Sequence, residues 1–302
     1  MEQGSPMSHV RAVSWMVLVT LLWSTAGVVS RHFEVAQGFE VTFWRSAFTV
    51  LALAVALTWL RGAALWRGLL HSPRAVWLSG VCWAVMFTAF MLALTMTRVA
   101  NVLVTMALGP LVTALFARLF LHHRLPPRTW TAIAVAGAGI AWMFGHEVQA
   151  ADARSVLGMA VGLAVPLAAA VNFTVLQHIS HGEAEGASQD MLPAVLIGAL
   201  LSSLVTLPLA WPLQASAQDL ALLAGLGVFQ LALPCLMVVG LTRILPAPEI
   251  ALLGLLEVVF GVLWAWLGAG EAPGPTALTG GALVLGALVG NELLGWRRGG
   301  QG

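Results

Sequence analysis

Long apolar runs alternate with short polar breaks along this chain, and most of its charge lies in or beside the breaks. A helix needs about 20 mostly apolar residues to cross a bilayer. On that measure the pattern predicts ten spans, near 12–30, 38–60, 75–96, 99–121, 128–146, 155–179, 190–211, 219–241, 247–268 and 275–296. The connections are short except for a polar loop from His181 to Asp190. The third and fourth runs are separated by almost nothing around Arg98, which predicts a tight helical hairpin. The first run reads as a span and not as a cleaved signal peptide, because Ala12–Val29 is long enough to cross and no convincing cleavage site follows.

The pattern also repeats. Leu94–Ala141, slid by 147 positions without a gap, lies on Leu241–Leu288. Each copy is an apolar helix, a short turn centred on a proline (Pro126, Pro273), then a Gly-rich apolar helix. Five spans separate equivalent points, an odd number, so the second copy enters the bilayer inverted. The predicted fold is therefore an all-α membrane protein of ten transmembrane helices in two inverted five-helix repeats, residues 1–150 and 151–302. Inverted repeats of this kind build secondary transporters, with the substrate near the midplane between the halves.

Composition agrees. Of 302 residues, 59% are hydrophobic and 9% charged, against about 25% charged in a soluble domain. The net charge of +1 gives no case for nucleic acid. Every Lys+Arg residue is Arg, a weak hint of a GC-rich bacterial genome. With the N-terminus in the cytoplasm, Arg11, Arg61, Arg67, Arg74, Arg118, Arg124, Arg128, Arg243, Arg297 and Arg298 fall at the inner face. Only Arg31, Arg98 and Arg154 fall outside, with Arg45 near the outer end of the second span. The positive-inside rule then places both termini in the cytoplasm of a bacterial inner membrane. Cys82 and Cys235 sit inside apolar runs and read as small hydrophobes. In the fifth and tenth spans, Gly137, Ala141 and Gly145, and Ala282, Gly286 and Gly290, form small-residue stripes suited to close helix packing.

Several short motifs give this frame a family likeness: Leu22-Trp23-Ser24-Thr25, Phe43-Trp44-Arg45, Gly109-Pro110-Leu111, and Leu255-Leu256-Glu257-Val258 followed by Leu267-Gly268-Ala269-Gly270-Glu271-Ala272-Pro273. With them the chain resembles the drug/metabolite transporter superfamily, in particular its EamA-type members, a group similar to amino-acid and drug exporters such as the aromatic amino-acid exporters. Val258 stands where a proline is usual, which puts a kink in the ninth span in doubt, and His123-Arg124 stands where Gly-Glu is common. The resemblance implies a transporter of small organic metabolites with a cavity between spans 1, 3, 4, 6, 8 and 9. It implies no cofactor.

Polar residues at membrane depth are the candidates for the site. Glu257 lies mid-span, where an acidic side chain is costly, and is a candidate for binding a substrate ammonium or carrying a coupling proton. The bland alternative is a protonated carboxyl fixing a neighbouring helix. Glu249 shares its face nearer the cytoplasmic end and is the second proton-coupling candidate. Thr20, Trp23, Ser24 and Gly27 follow i, i+3, i+4, i+7 and form one face of the first span, as a cavity wall or as ordinary packing. Trp83, Met86 and Phe90 line a face of the third span that suits apolar ligands or plain core. Asn101 with Thr105, Asn172 and Gln230 are uncharged polar groups in apolar runs, either substrate contacts or interhelical hydrogen bonds. Arg45 and Arg98 near the outer face could steer anions, but snorkelling to headgroups is the simpler reading. His122-His123-Arg124 reads as topology signal, without metal ligands nearby.

These residues suit a neutral or aromatic amino acid or an amphiphilic cation, carried by alternating access and, by the family likeness, exported. An anionic substrate is disfavoured because no basic residue is read deep in a span. The expected partners are a small-molecule substrate and the lipid bilayer, not nucleic acid, with monomer and homodimer both open. The competing readings are a non-transport membrane assembly protein and an intramembrane enzyme. The enzyme is disfavoured because His178 is at a helix end and the other histidines lie outside the spans.

Overall fold

A computed structural model of the chain describes residues 7–62, 64–69, 71–97, 99–121, 125–148, 152–183, 190–270 and 274–299. Arg98, the His122-His123-Arg124 cluster and Glu271 lie outside them. The described residues form ten helical rods and no strand. Span 1 is α1 (His9–Trp23) with α2 (Thr25–Ser30), and span 2 is α3 (Phe39–Arg61), followed by a short α4 (Ala64–Leu69). Span 3 is α5 (Arg74–Met96), span 4 is α6 (Val99–Met106) with α7 (Gly109–Phe120), and span 5 is α8 (Pro127–Val148). In the second half, span 6 is α9 (Ala153–Gly162) with α10 (Ala164–Glu183), and span 7 is α11 (Leu192–Ala210). Span 8 joins α12 (Ala217–Gly225), a π-helix (Leu226–Ala232) and α13 (Leu233–Leu241). Span 9 is α14 (Ala247–Gly254) with α15 (Leu256–Ala269), and span 10 is α16 (Pro275–Gly299). Seven rods are long and apolar enough to cross a membrane, and Gly109–Phe120 and Pro275–Asn291 are shorter apolar helices.

The packing obeys one exchange rule, span n for span n+5. Spans 2 and 7 (α3 on α11), 4 and 9 (α7 on α14), and 5 and 10 (α8 on α16) pack on their own repeat-mates. Span 3 packs on span 6 (α5 on α9 and α10) as span 8 packs on span 1 (α13 on α1). Span 4 packs on span 6 (α7 on α10) as span 9 packs on span 1 (α15 on α2). This is the arrangement that two inverted five-helix repeats require.

Five rods are interrupted, each for a local reason. In span 1, the hydroxyls of Thr20, Ser24 and Thr25 bond back to the carbonyls of Val17, Leu21 and Leu22, which bends a helix. Pro110 follows the break in span 4, and Pro166 cannot donate to the Gly162 carbonyl at the break in span 6. Pro234 likewise withholds a donor from the Gln230 carbonyl, and π-type bonding, Leu233 N–H to the Val228 carbonyl, carries span 8 through. Span 9 turns at Leu255 with no proline at position 258, through tighter bonds from Leu255 to Leu252 and from Val258 to Leu255. The missing proline therefore does not straighten the helix.

The small-residue stripes lie elsewhere than expected. Ala282 and Gly286 are exposed, and nothing approaches a side chain placed at Gly137, Gly145 or Gly286. The close approach of α8 and α16 is made by Gly139 and Gly280, flanked by buried Ala136, Ile140 and Val284. Both stripes have four-residue spacing, so spacing alone could not choose between them.

The two repeats are tied at one end by a reciprocal clasp. Asp219, in the first turn of α12 and 0% exposed, accepts backbone N–H bonds from Glu34, Val35 and Ala36 at 2.7, 3.0 and 2.9 Å. It also closes a capping box with Ser216. In return Glu40, in the first turn of α3, accepts from the backbone of Gln214 and Ala215 at 2.6 and 2.8 Å. Each carboxylate sits at a helix N-terminus, where the dipole favours it, and serves the connection of the other repeat. Replacing Asp219 by Ala orphans these buried donors. We expect a loss of about 2–4 kcal/mol, read as a lowered unfolding midpoint in detergent. A variant as stable as wild type would show that water replaces the carboxylate at no cost.

Candidate functional site

The interrupted rods surround a central cavity of about 990 Å³ of empty space, counting its open part. Spans 1, 3, 4, 6, 8 and 9 line it, joined by span 2 through Arg45. Trp23 comes from span 1, and Trp83, Met86, Phe87 and Phe90 from span 3. Met106, Gly109 and Thr113 come from either side of the break in span 4, Val165 and Pro166 from beside the break in span 6, and Phe173 from farther along α10. Gln230 and Cys235 come from the π-helix and α13, and Gly254, Leu255 and Glu257 from the turn in span 9. The lining is mostly apolar, with Trp83 tilted against Phe87 and edge-on to Phe173, at centroid distances of 5.5 and 6.5 Å.

The polar atoms on this wall are the informative ones. Nε of Arg45, Nε1 of Trp83, Oγ1 of Thr113 and Oε1 of Gln230 are buried without a hydrogen-bond partner. Buried polar groups are nearly always paired, so each orphan needs an explanation. All four belong to side chains that line the same cavity. Glu257, also on the wall, has no hydrogen bond among those of the described residues. Side chains that carry two unpaired donors, one unpaired acceptor, one unpaired hydroxyl and a carboxyl group thus line one mostly apolar chamber.

Arg45 corrects the expectation of a snorkelling arginine. It is 1% exposed, lines the cavity, and donates from Nη2 to the Phe87 carbonyl at 2.9 Å. The argument against interior cations fails with it. The signal was present in the sequence: Thr42, Arg45, Ser46 and Thr49 follow i, i+3, i+4, i+7, and all four are buried. A lipid-facing arginine would not sit in a polar stripe. Span 8 holds this stripe closely. Gly227 packs against the Arg45 carbonyl and the Thr49 amide, and its own carbonyl accepts from Thr49 Oγ1 at 3.0 Å.

The sequence-predicted residues divide. Trp23, Trp83, Met86, Phe90, Gln230 and Glu257 meet in the cavity. Gln230 also donates to the Trp23 carbonyl at 3.3 Å, beside the break in span 1. Thr20 and Ser24 are off the lining; Ser24 accepts from Trp264 Nε1 at 2.9 Å and so ties span 1 to span 9. Asn172 is off it too, accepting from Ser79 at 2.6 Å between spans 3 and 6. Asn101 donates to Thr97 at 2.7 Å, and Thr105 bonds back to Val102 and lies against Gly162, so neither reaches the wall. Glu249 pairs with His9 at 2.7 Å near the chain's start, away from the chamber. Thr113, Phe87 and Phe173 were not anticipated.

The comparisons with known proteins point the same way. The chain matches the EamA-like transporter family twice, over residues 10–145 and 156–291. No curated protein matches it. A solved crystal structure, titled only as that of a protein, superposes over 96% of this chain and 99% of its own with a TM-score of 0.78 at 18% identity, which shows the fold alone.

Gly227→Ala tests how span 8 positions the site. A Cβ there would meet the Phe48 Cβ at 2.7 Å and the Arg45 carbonyl at 2.9 Å, mostly rigid atoms. We expect a cost of about 1–3 kcal/mol and weakened ligand binding through displacement of Arg45. Unchanged stability and binding would show that spans 2 and 8 separate freely.

Proposed function

This chain belongs to the EamA-like transporter family and is a multi-pass membrane transporter, and we propose that the central cavity is its substrate site, worked by alternating access between the two five-helix repeats. The substrate is a neutral, zwitterionic amphiphile, an aromatic or large apolar amino acid. The observation that carries this reading is that four side chains with an unpaired polar atom, Arg45, Trp83, Thr113 and Gln230, line one mostly apolar cavity together with Glu257. Arg45, Trp83 and Thr113 would take the substrate carboxylate, Glu257 and Gln230 Oε1 its ammonium, and the Trp, Met and Phe side chains its body. A lone amphiphilic cation would leave the Arg45 guanidinium unpaired, so the zwitterion is favoured over it. Export follows the family likeness, and the arginine distribution supports an inner-membrane protein with both termini in the cytoplasm.

The test is exchange flux in proteoliposomes with labelled tryptophan, leucine and a cationic dye, each with and without a pH gradient. Saturable tryptophan exchange, competed by other large neutral amino acids and not by the dye, is the expected outcome. Saturable dye flux without amino-acid exchange would overturn the substrate class. A C-terminal phosphatase fusion is expected to be inactive in the periplasm, and an active one would reverse the orientation.

A further inference from the structure

The described lining of the cavity carries one basic and one acidic side chain, and no contact joins them. Arg45 stands on span 2 and Glu257 on span 9, both on the lining. No hydrogen bond or ion pair joins them among those of the described residues. Arg45 spends Nη2 on the Phe87 carbonyl and leaves Nε without a partner. No other Asp, Glu, Lys, Arg or His lies on the described lining. The chamber therefore carries one basic and one acidic side chain amid aromatic and thioether surface.

A charge held in a low-dielectric chamber is costly unless it is compensated. A monocation in this space would satisfy Glu257 and oppose Arg45, and a monoanion would do the reverse. A ligand with both charges satisfies both at once. We infer that Arg45 and Glu257 together form a charge-class filter. The pair admits ligands of zero net charge that carry opposite charges, and neutralising either member converts the site to the opposite single-charge class instead of abolishing binding. This rests on the amino-acid reading above, and it goes further by assigning specificity to two residues acting jointly. Like charges brought together at an interface are excluded and opposite ones selected, which makes charge placement a determinant of specificity more than of raw affinity.

The experiment measures equilibrium binding to the full-length protein in nanodiscs of three ligands with the same indole body: tryptophan, tryptamine and indole-3-propionate. Wild type is expected to prefer tryptophan about tenfold or more over either singly charged analogue, the scale of one charge-assisted contact. Arg45→Gln is expected to shift the tryptamine-to-tryptophan affinity ratio at least about tenfold towards tryptamine, and Glu257→Gln to shift the indole-3-propionate ratio equally far the other way. Arg45→Lys and Glu257→Asp, which keep the charges, are expected to keep the tryptophan preference. A purely structural role for the pair would weaken all three ligands by one common factor, and unchanged ratios would overturn the filter while leaving the amino-acid reading intact. Failure of wild type to bind any of the three overturns that reading, and the filter with it. Should a single neutralisation fail to give a monodisperse protein, the double substitution of Arg45→Gln with Glu257→Gln decides. Flattened discrimination among the three ligands is expected there, and the wild-type order retained would refute the filter.

Discussion

In a bilayer every backbone N–H and C=O must find its partner inside the protein, because the hydrocarbon offers none. That constraint explains where this molecule is irregular. Spans 5, 7 and 10 are unbroken and serve as scaffold, paired by α8 on α16 and by α11 on α3 and α5. The five interrupted rods, spans 1, 4, 6, 8 and 9, all line the chamber. Each break is repaired by groups of the chain itself: hydroxyls in span 1, a tightened turn in span 9, π bonding in span 8. Gln230 completes the pattern, since the π segment that presents it also supplies a donor to the Trp23 carbonyl. Site and irregularity thus have one cause. Helices bent by hydroxyls and prolines cannot pack flush, and the space left between them is lined by the residues at the bends.

The two halves share a topology without sharing a conformation. The breaks in spans 4 and 9 superpose under the 147-residue offset, at Leu108 and Leu255. Those in spans 1 and 6 do not: Ser24 would map to Val171, whereas span 6 breaks at Leu163. The π-helix of span 8 has an ordinary α-helical counterpart in α5. The clasp is one-sided as well. Asp219 and Glu40 join two connections at one end of the bundle with buried backbone bonds. Spans 2 and 7 meet at the other end through the partly exposed Arg61–Asp190 pair at 3.1 Å. Exposed ion pairs are worth little, and buried charge-assisted bonds considerably more.

Hydrophobic periodicity made the fold legible from the sequence almost entirely. Ten apolar runs became ten rods with ends within a few residues of those expected, because a lipid solvent leaves the chain few alternatives to helix. The site was legible only in part, and the failures share a cause. Thr20, Ser24, Asn101, Thr105 and Asn172 are polar residues in apolar runs, as expected of site residues, but each bonds a neighbour away from the lining: Val17, Trp264, Thr97, Val102 and Ser79, with Asn101 Oδ1 and Asn172 Nδ2 left unpaired. Sequence shows that a polar group is at depth, not whether it has already found a partner. Arg45 failed in the opposite direction. Its distance from the end of the run suggested the headgroups, while the rotation of its helix, readable from Thr42, Ser46 and Thr49, turned it inward.

The same accounting separates the acidic residues by role. Asp219 and Glu40 accept five backbone bonds from the opposite repeat between them, so their charge is absorbed in holding loops. Glu249 is paired with His9 at the rim. Glu257 alone among these four has no hydrogen bond or ion pair among those of the described residues, and it alone lines the chamber. A carboxylate carried deep into a bilayer with no partner from its own chain is an expense that packing does not explain. On the same lining Arg45 keeps an Nε–H without a partner, so the two groups left unsatisfied by their own chain share one cavity.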